Sequence, residues 1–259
     1  MKRIAFFVYG VTSHGMFLLV YAALGFFVTG QFLPRTIDGP TGLSGGPAAM
    51  VNTLLLLSFG VPHSVMARPG FKAWWTQIIP KPIERSTYVL ISNLLVLAMM
   101  AFWQPIESVV WHVQSQPLAG LIWSLSAIGW LLVPLSSLLI NHFDLLGTRQ
   151  VWLYMQGKAY SHLPFASPLL YRIVRHPLYV GWLLAFWATP YMTVGHLQFA
   201  GILTAYILIA IRFEERDLLD QHGERYAKYR REVPMLIPSG RRPQPNHAAE
   251  APVRHEPAL

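Results

Sequence analysis

The chain has 259 residues, of which 53% are hydrophobic and 12% charged, with 20 Lys and Arg against 12 Asp and Glu. That charged share is about half of what soluble domains carry, and the lack of cysteine excludes disulfides, thiolate metal sites and a cysteine nucleophile. The net charge of +8 suits an anionic membrane face; its basic residues lie in loops between apolar stretches, not in one exposed stripe, so no nucleic-acid partner is expected.

Met1-Lys2-Arg3 opens a run that stays apolar as far as Val28. The run outlasts a signal-peptide core and lacks a clean cleavage pattern, so it is predicted as a retained first span. Apolar windows of bilayer-crossing length cover 4–29, 47–66, 87–104, 118–140, 177–193 and 197–219. The fold class predicted is all-α: a polytopic transmembrane helical bundle of five or six spans, with a C-terminal helical hairpin and an interfacial helix. Pro34 to Pro47 is rich in Gly and Pro and reads as a loop. Only Tyr191 to His196 separates the last two windows, which forces a tight antiparallel hairpin. Residues 1–238 are read as one membrane domain. Beyond Pro238 the periodicity ends, and 239–259 are expected to be a disordered basic, Pro-rich tail.

Loop charge sets the expected orientation. The 67–86 loop carries Arg68, Lys72, Lys81 and Arg85, and the 141–176 segment carries Arg149, Lys158, Arg172 and Arg175. The 105–117 and 191–196 segments have neither Lys nor Arg, and 30–46 has only Arg35. With Lys2 and Arg3 at the start, both termini are predicted to be cytosolic, in a bacterial cytoplasmic membrane. Trp74, Trp75, Trp103 and Trp111 fall near span ends, as interfacial aromatics do.

Two polar segments then meet on the cytosolic side, joined by the hairpin. The first runs Tyr171-Arg172-Ile173-Val174-Arg175-His176-Pro177-Leu178-Tyr179-Val180-Gly181-Trp182. Pro177 suits the first position of a helix, and a helix start offers unpaired N–H groups and a positive dipole end to an anion. Arg175 can grip a carboxylate at two points, while His176 and Tyr179 add donors one turn apart. The competing reading is a basic turn resting on lipid phosphate. The second segment, Arg212-Phe213-Glu214-Glu215-Arg216-Asp217, places ionisable groups directly after an apolar span. A carboxylate there can accept from ribose hydroxyls or an α-ammonium group; the competing reading is a solvated helix end with local ion pairs. His222 to Pro234 then reads as a short interfacial helix whose expected role is membrane attachment.

Arg175-His176-Pro177-x-Tyr179-x-Gly181, the hairpin, Glu214-Glu215 and Gly223-Glu224-x-Tyr226-x-x-Tyr229 before Pro234 together resemble the isoprenylcysteine carboxyl methyltransferase superfamily. The resemblance implies an S-adenosylmethionine site lined by Tyr171, Arg175, His176, Pro177, Leu178, Tyr179, Glu214 and Glu215. Gln156 and His162, in the stretch His162-Leu163-Pro164-Phe165, look like that family's upstream cofactor contacts. Pro62-His63-Ser64, Glu84-Arg85-Ser86 and Phe143-Asp144-Leu145-Leu146-Gly147-Thr148-Arg149-Gln150 are similar to bacterial methanethiol S-methyltransferases, which convert methanethiol to dimethyl sulfide. The alternatives are a prenylcysteine or lipid acceptor, or a haem-binding protein like the NnrU and carotene-isomerase families, which share the His63 and Glu84-Arg85 style of N-terminal half.

Ten histidines invite a metal reading, but no His-x-x-x-His or His-Glu-x-x-His spacing occurs, and no metal is expected. A thiol acceptor must lose its proton, since the thiolate is the nucleophile. His63 is the candidate base, and Arg85 the candidate catalytic cation that stabilises the anion. Arg68, Arg149 and Trp152 are candidate substrate-binding residues, with Phe165 and Trp182 as further walls of a small pocket. A small thiol and the bilayer are the expected partners, and no protein partner is implied.

Overall fold

Apolar residues at every face of a long helix require a lipid environment around it, and the structure, a computed structural model describing residues 1–40, 42–43, 45–161 and 163–238, is built from such helices. Helix α1 (Lys2–Thr29) ends at Gly30, whose φ of 72° closes the helix in the left-handed region. Helix α2 (Gly45–Met66) is followed by the short α3 (Pro69–Trp75), then by α4 (Lys81–Phe102). A strand, β1 (Val109–His112), leads into α5 (Gln116–Ile140), the four-residue α6 (His142–Leu145) and α7 (Thr148–Met155). After a 3-10 turn at Leu169–Arg172 come α8 (Pro177–Trp187), strand β2 (Tyr191–Thr193), α9 (Val194–His222) and α10 (Glu224–Glu232).

Among the described residues, five helices are long and apolar enough to cross a membrane: α1, α2, α4, α5 and α9. The protein is thus a polytopic helical bundle, as the hydropathy predicts. The 177–193 window behaves differently. Helix α8 has only 11 residues, or roughly 16 Å at the helical rise, and the chain then runs extended to β2, which pairs antiparallel with β1. Thr189 and Thr193 are buried there and donate their hydroxyls, Thr189 to the nearby Tyr191 carbonyl and Thr193 to the distant Asp38. Thr193 also caps α9 by accepting from the His196 N–H.

The core runs between α1, α2, α4, α8 and α9, around Phe27, Trp103, Phe199 and Ile211. Helices α5 and α8 approach backbone to backbone. A Cβ on Gly129 would stand 2.5 Å from the Ala185 nitrogen, and one on Gly181 3.0 Å from the Gly129 carbonyl oxygen. Small residues at such a crossing are how helices pack closely in lipid. This contact holds α8, and with it the helix entrance at Pro177, in place. The tail after residue 238 and His162 lie outside the described residues.

Candidate functional site

The hairpin brings the two polar segments together. His176 precedes Pro177 at the α8 entrance and is buried. Its Nε2 lies 3.0 Å from Glu215 Oε1, and its Nδ1 4.0 Å from Glu214 Oε2. One turn on, Tyr179 donates its hydroxyl to Glu214 Oε2 at 2.9 Å. Arg175 Nε donates to Glu215 Oε1 at 2.7 Å. His176 therefore bonds Glu215 and lies near Glu214, and the two carboxylates serve different ends. The Glu215 side chain is 11% exposed and held by Arg175 and His176, whereas that of Glu214 is 44% exposed and held on one oxygen by Tyr179. Glu215 is an internal tie; Glu214 is the acid open to a ligand.

Helix α10 is more than a surface attachment. After it the chain hydrogen-bonds back onto the α8 entrance: the Arg175 N–H donates to the Pro234 carbonyl at 2.8 Å and the His176 N–H to Met235 at 3.2 Å. Arg175 adds bonds from Nη1 to the Val233 and Arg230 carbonyls. Tyr229 donates to the Tyr171 carbonyl at 2.6 Å, and Tyr171 donates to the Ser136 carbonyl at 3.3 Å. Phe165 packs on Tyr226 and Tyr229, with ring centroids 5.7 and 5.3 Å away. Phe165 thus lies against the same helix.

The buried Tyr226 hydroxyl has no hydrogen-bond partner among the described residues. Burial, then the Glu215 carboxylate, raises its pKa, so the phenol remains a neutral donor. An enclosed donor beside two acids and an arginine is what a polar ligand settling over Glu214 would complete. This orphaned atom, the exposed acid and the α8 N-terminus suit a ligand with hydroxyls, a carboxylate and an ammonium group.

A second polar cluster joins α2 and α4. Ser92 gives its own proton to the Tyr88 carbonyl at 2.8 Å, so it accepts from His63 Nδ1 at 3.0 Å. That assignment leaves His63 Nε2 to accept from the Tyr88 hydroxyl at 2.8 Å. The Arg85 guanidinium lies 4.5 Å from the Tyr88 ring centroid and donates from Nε to the Leu145 carbonyl at 2.6 Å. Burial first, then Arg85, lowers the pKa of neighbouring Lys72.

The other predicted residues go elsewhere. Arg68 pairs with Asp217 at 2.8 Å and so ties the α2–α3 link to α9. Arg149 holds Asp144 at 3.0 Å and the backbone and side chain of Ser161. Trp152 is exposed and packs on Phe7 of α1. Gln156 caps α7 by donating its N–H to the Trp152 carbonyl, next to Gly157, where a Cβ would meet Arg3. Both lie on the α1 side of the bundle. Leu178 is half-buried and Pro177 buried at the α8 entrance. Among the described residues no three His, Asp or Glu side chains gather where one metal ion would reach them. Sequence reasoning missed Tyr88, Ser92 and, as a site residue, Tyr226; only the Gly223-Glu224-x-Tyr226 motif pointed at the last.

An acid-and-histidine centre at one end of a polytopic bundle, capped by a C-terminal helix, defines a candidate ligand site in an integral membrane protein, and its relatives place it in the methyltransferase class. The chain is 49% identical over 238 residues to the methanethiol S-methyltransferase of Crocosphaera subtropica, covering 92% of this chain and 93% of that protein. It is 47% identical to the methanethiol S-methyltransferase of Mycobacterium tuberculosis, with 92% and 98% covered. Nurim of Sus scrofa is 32% identical over 173 residues, 63% of this chain and 65% of nurim. No family model matches the chain, and no solved structure does. The chain belongs to the methanethiol S-methyltransferase family.

Proposed function

We propose that this chain transfers a methyl group from S-adenosylmethionine to the sulfur of methanethiol, giving dimethyl sulfide, at the cytosolic face of a bacterial cytoplasmic membrane. The observation that carries the reading is the division between the two acids at the hairpin: one locked by Arg175 and His176, the other open beside Tyr179. Extensive identity with methanethiol S-methyltransferases supports the acceptor. The loops rich in Lys and Arg lie at the end bearing both the N-terminus and α10, which supports cytosolic termini.

When bound, S-adenosylmethionine supplies a methyl group on a sulfonium: the new S–C bond forms as the old one breaks, with its electron pair returning to the cofactor sulfur. Glu214 would accept from the cofactor's hydroxyl or ammonium groups, and the α8 entrance beside Arg175 would hold its carboxylate. Tyr179 keeps the Glu214 carboxylate aimed. The protein's remaining task is the thiol proton. His63, whose Nε2 accepts from the Tyr88 hydroxyl, is the candidate base for it through that hydroxyl, and Arg85, over the Tyr88 ring, is the candidate cation that would favour a thiolate nearby. Positive charge vanishes in the transfer, so orientation and exclusion of water carry the rest of the rate. Calorimetry tests the reading: purified wild type binds S-adenosylmethionine and Glu214→Ala does not. Equal affinity in both proteins would remove Glu214 from the cofactor site.

A further inference from the structure

One stripe of α8 is apolar along its whole length and takes no part in the acid-and-histidine centre. Val180, Leu184 and Trp187 stand there at positions i, i+4 and i+7. With Leu208 of α9 and the 235–237 segment they line a groove of about 820 Å³. From Val180 to Ala188 the groove follows α8 for roughly 12 Å, close to the depth of one leaflet in a hydrocarbon core about 30 Å thick. No charged side chain lines it, and the Trp187 indole N–H is already donated to Thr204 at 2.9 Å. Ile237 is 82% exposed along it, and Met235, Trp187 and Leu208 are open as well.

We propose that this groove binds the acyl chain of an anionic phospholipid, and that the bound lipid strengthens cofactor binding at the α8 entrance. The second half rests on the reading of Glu214 and that entrance as the S-adenosylmethionine site; the lipid contact does not. Three features carry the proposal. First, size: the volume falls within the roughly 300–1,000 Å³ of sites that hold a whole ligand, far more than a one-carbon thiol needs, and the length is that of a chain in one leaflet. Second, setting: α9 is long and apolar enough to cross a membrane, and α8 packs on α5, which is too, so the groove opens into hydrocarbon. The 239–259 sequence, with Arg241, Arg242 and Arg254 and no long apolar run, does not suit it. Third, charge: α10 ends in Arg230 and Arg231, directly before the segment that lines the groove. Arg231 pairs with Glu224, whereas Arg230 is exposed and has no acid partner among the described residues. An anionic headgroup complements it.

The groove and the cofactor site share a stretch of backbone. Met235 lines the groove, and its carbonyl accepts from the His176 N–H at 3.2 Å. The Pro234 carbonyl accepts from the Arg175 N–H, and that of Val233 from Arg175 Nη1. Leu236 anchors the segment in the core. A chain seated against residues 235–237 therefore steadies the strap that holds Arg175 and His176, the two residues that fix Glu215.

The test uses the full chain in detergent and in phospholipid nanodiscs. Native mass spectrometry counts retained phospholipid, and calorimetry measures S-adenosylmethionine affinity. The wild type is expected to keep one phospholipid through a detergent wash. Exhaustive delipidation weakens cofactor binding by about tenfold, within the usual range of coupling between two sites, and added phosphatidylglycerol restores it. Leu208→Trp fills the groove from α9 and loses the retained lipid, while Leu131→Trp, 69% exposed on α5 and outside the groove, keeps it. Ile237→Ser, a gentler change should the tryptophan variant fold poorly, weakens retention in the same direction. Arg230→Gln lowers the preference for phosphatidylglycerol over phosphatidylcholine by roughly fivefold. Wild-type retention in folded Leu208→Trp and Ile237→Ser would overturn the lipid site. Loss of a dimer in place of a lipid would give the groove to a second copy of the chain and overturn it too. Equal cofactor affinity in delipidated and lipid-replete protein would overturn the coupling. A wild type that binds no S-adenosylmethionine in any lipid would overturn the parent reading, and lipid retention would still decide the groove.

Discussion

The Tyr179 hydroxyl meets the Glu214 carboxylate at 2.9 Å across the α8–α9 hairpin, 35 residues apart in the chain. That bond joins the proline-led helix entrance to the twin acids and positions the open carboxylate. Glu214→Gln keeps the shape and removes the charge. A charge-assisted hydrogen bond contributes about 1.5–3 kcal/mol, so S-adenosylmethionine affinity is expected to fall by roughly tenfold to a hundredfold. Calorimetry measures this, with thermal unfolding close to wild type because Glu214 is the half-exposed partner.

Glu215 behaves in the opposite way. Arg175→Met leaves a mostly buried carboxylate facing His176 alone, at a cost of about 3 kcal/mol. The melting temperature in detergent is expected to drop. Arg175→Met combined with Glu215→Met recovers much of the loss, because no unpaired charge remains.

Tyr226→Phe deletes a hydroxyl that has no partner among the described residues. Removing an unsatisfied buried donor is neutral or stabilising, while a ligand bond lost from the same atom costs about 1 kcal/mol. Cofactor affinity should therefore fall roughly fivefold with no loss of thermal stability. A fall in both would mark Tyr226 as a packing residue.

His63→Ala and Arg85→Ala separate proton handling from cofactor binding. Each is expected to lower thiol turnover by about a hundredfold and leave S-adenosylmethionine affinity intact, since neither residue touches the α8–α9 hairpin acids. Intact turnover in both variants would exclude this pair from the chemistry.

Gly129→Ala tests the scaffold. Its Cβ would stand 2.5 Å from the Ala185 backbone nitrogen, a clash that only a shift of α8 relieves, costing about 1–3 kcal/mol. The melting temperature should fall, and cofactor affinity with it, because the Pro177 entrance moves with α8.

The hairpin pairing of His176 with the acids was legible in sequence because it needs only local facts: two polar segments, two apolar runs and a six-residue connection. The α8 boundary was not, because an apolar window reads the same whether its last residues are helical or, as at Thr189 to Thr193, extended and paired with β1. Trp152 and Gln156 carry suitable chemistry, but helix α7 packs on α1, and no spacing rule reports which helix a neighbour chooses. Tyr88 and Ser92 escaped notice for a related reason. On α4 they look like ordinary span residues, and only the contact with α2 shows that they set the proton on each nitrogen of His63.

The central claim is tested most directly by headspace gas chromatography of the purified protein supplied with methanethiol and S-adenosylmethionine. The account predicts dimethyl sulfide and S-adenosylhomocysteine in equal amounts from the wild type, and neither above background from Glu214→Ala. A folded wild type that binds the cofactor yet releases no dimethyl sulfide would contradict it.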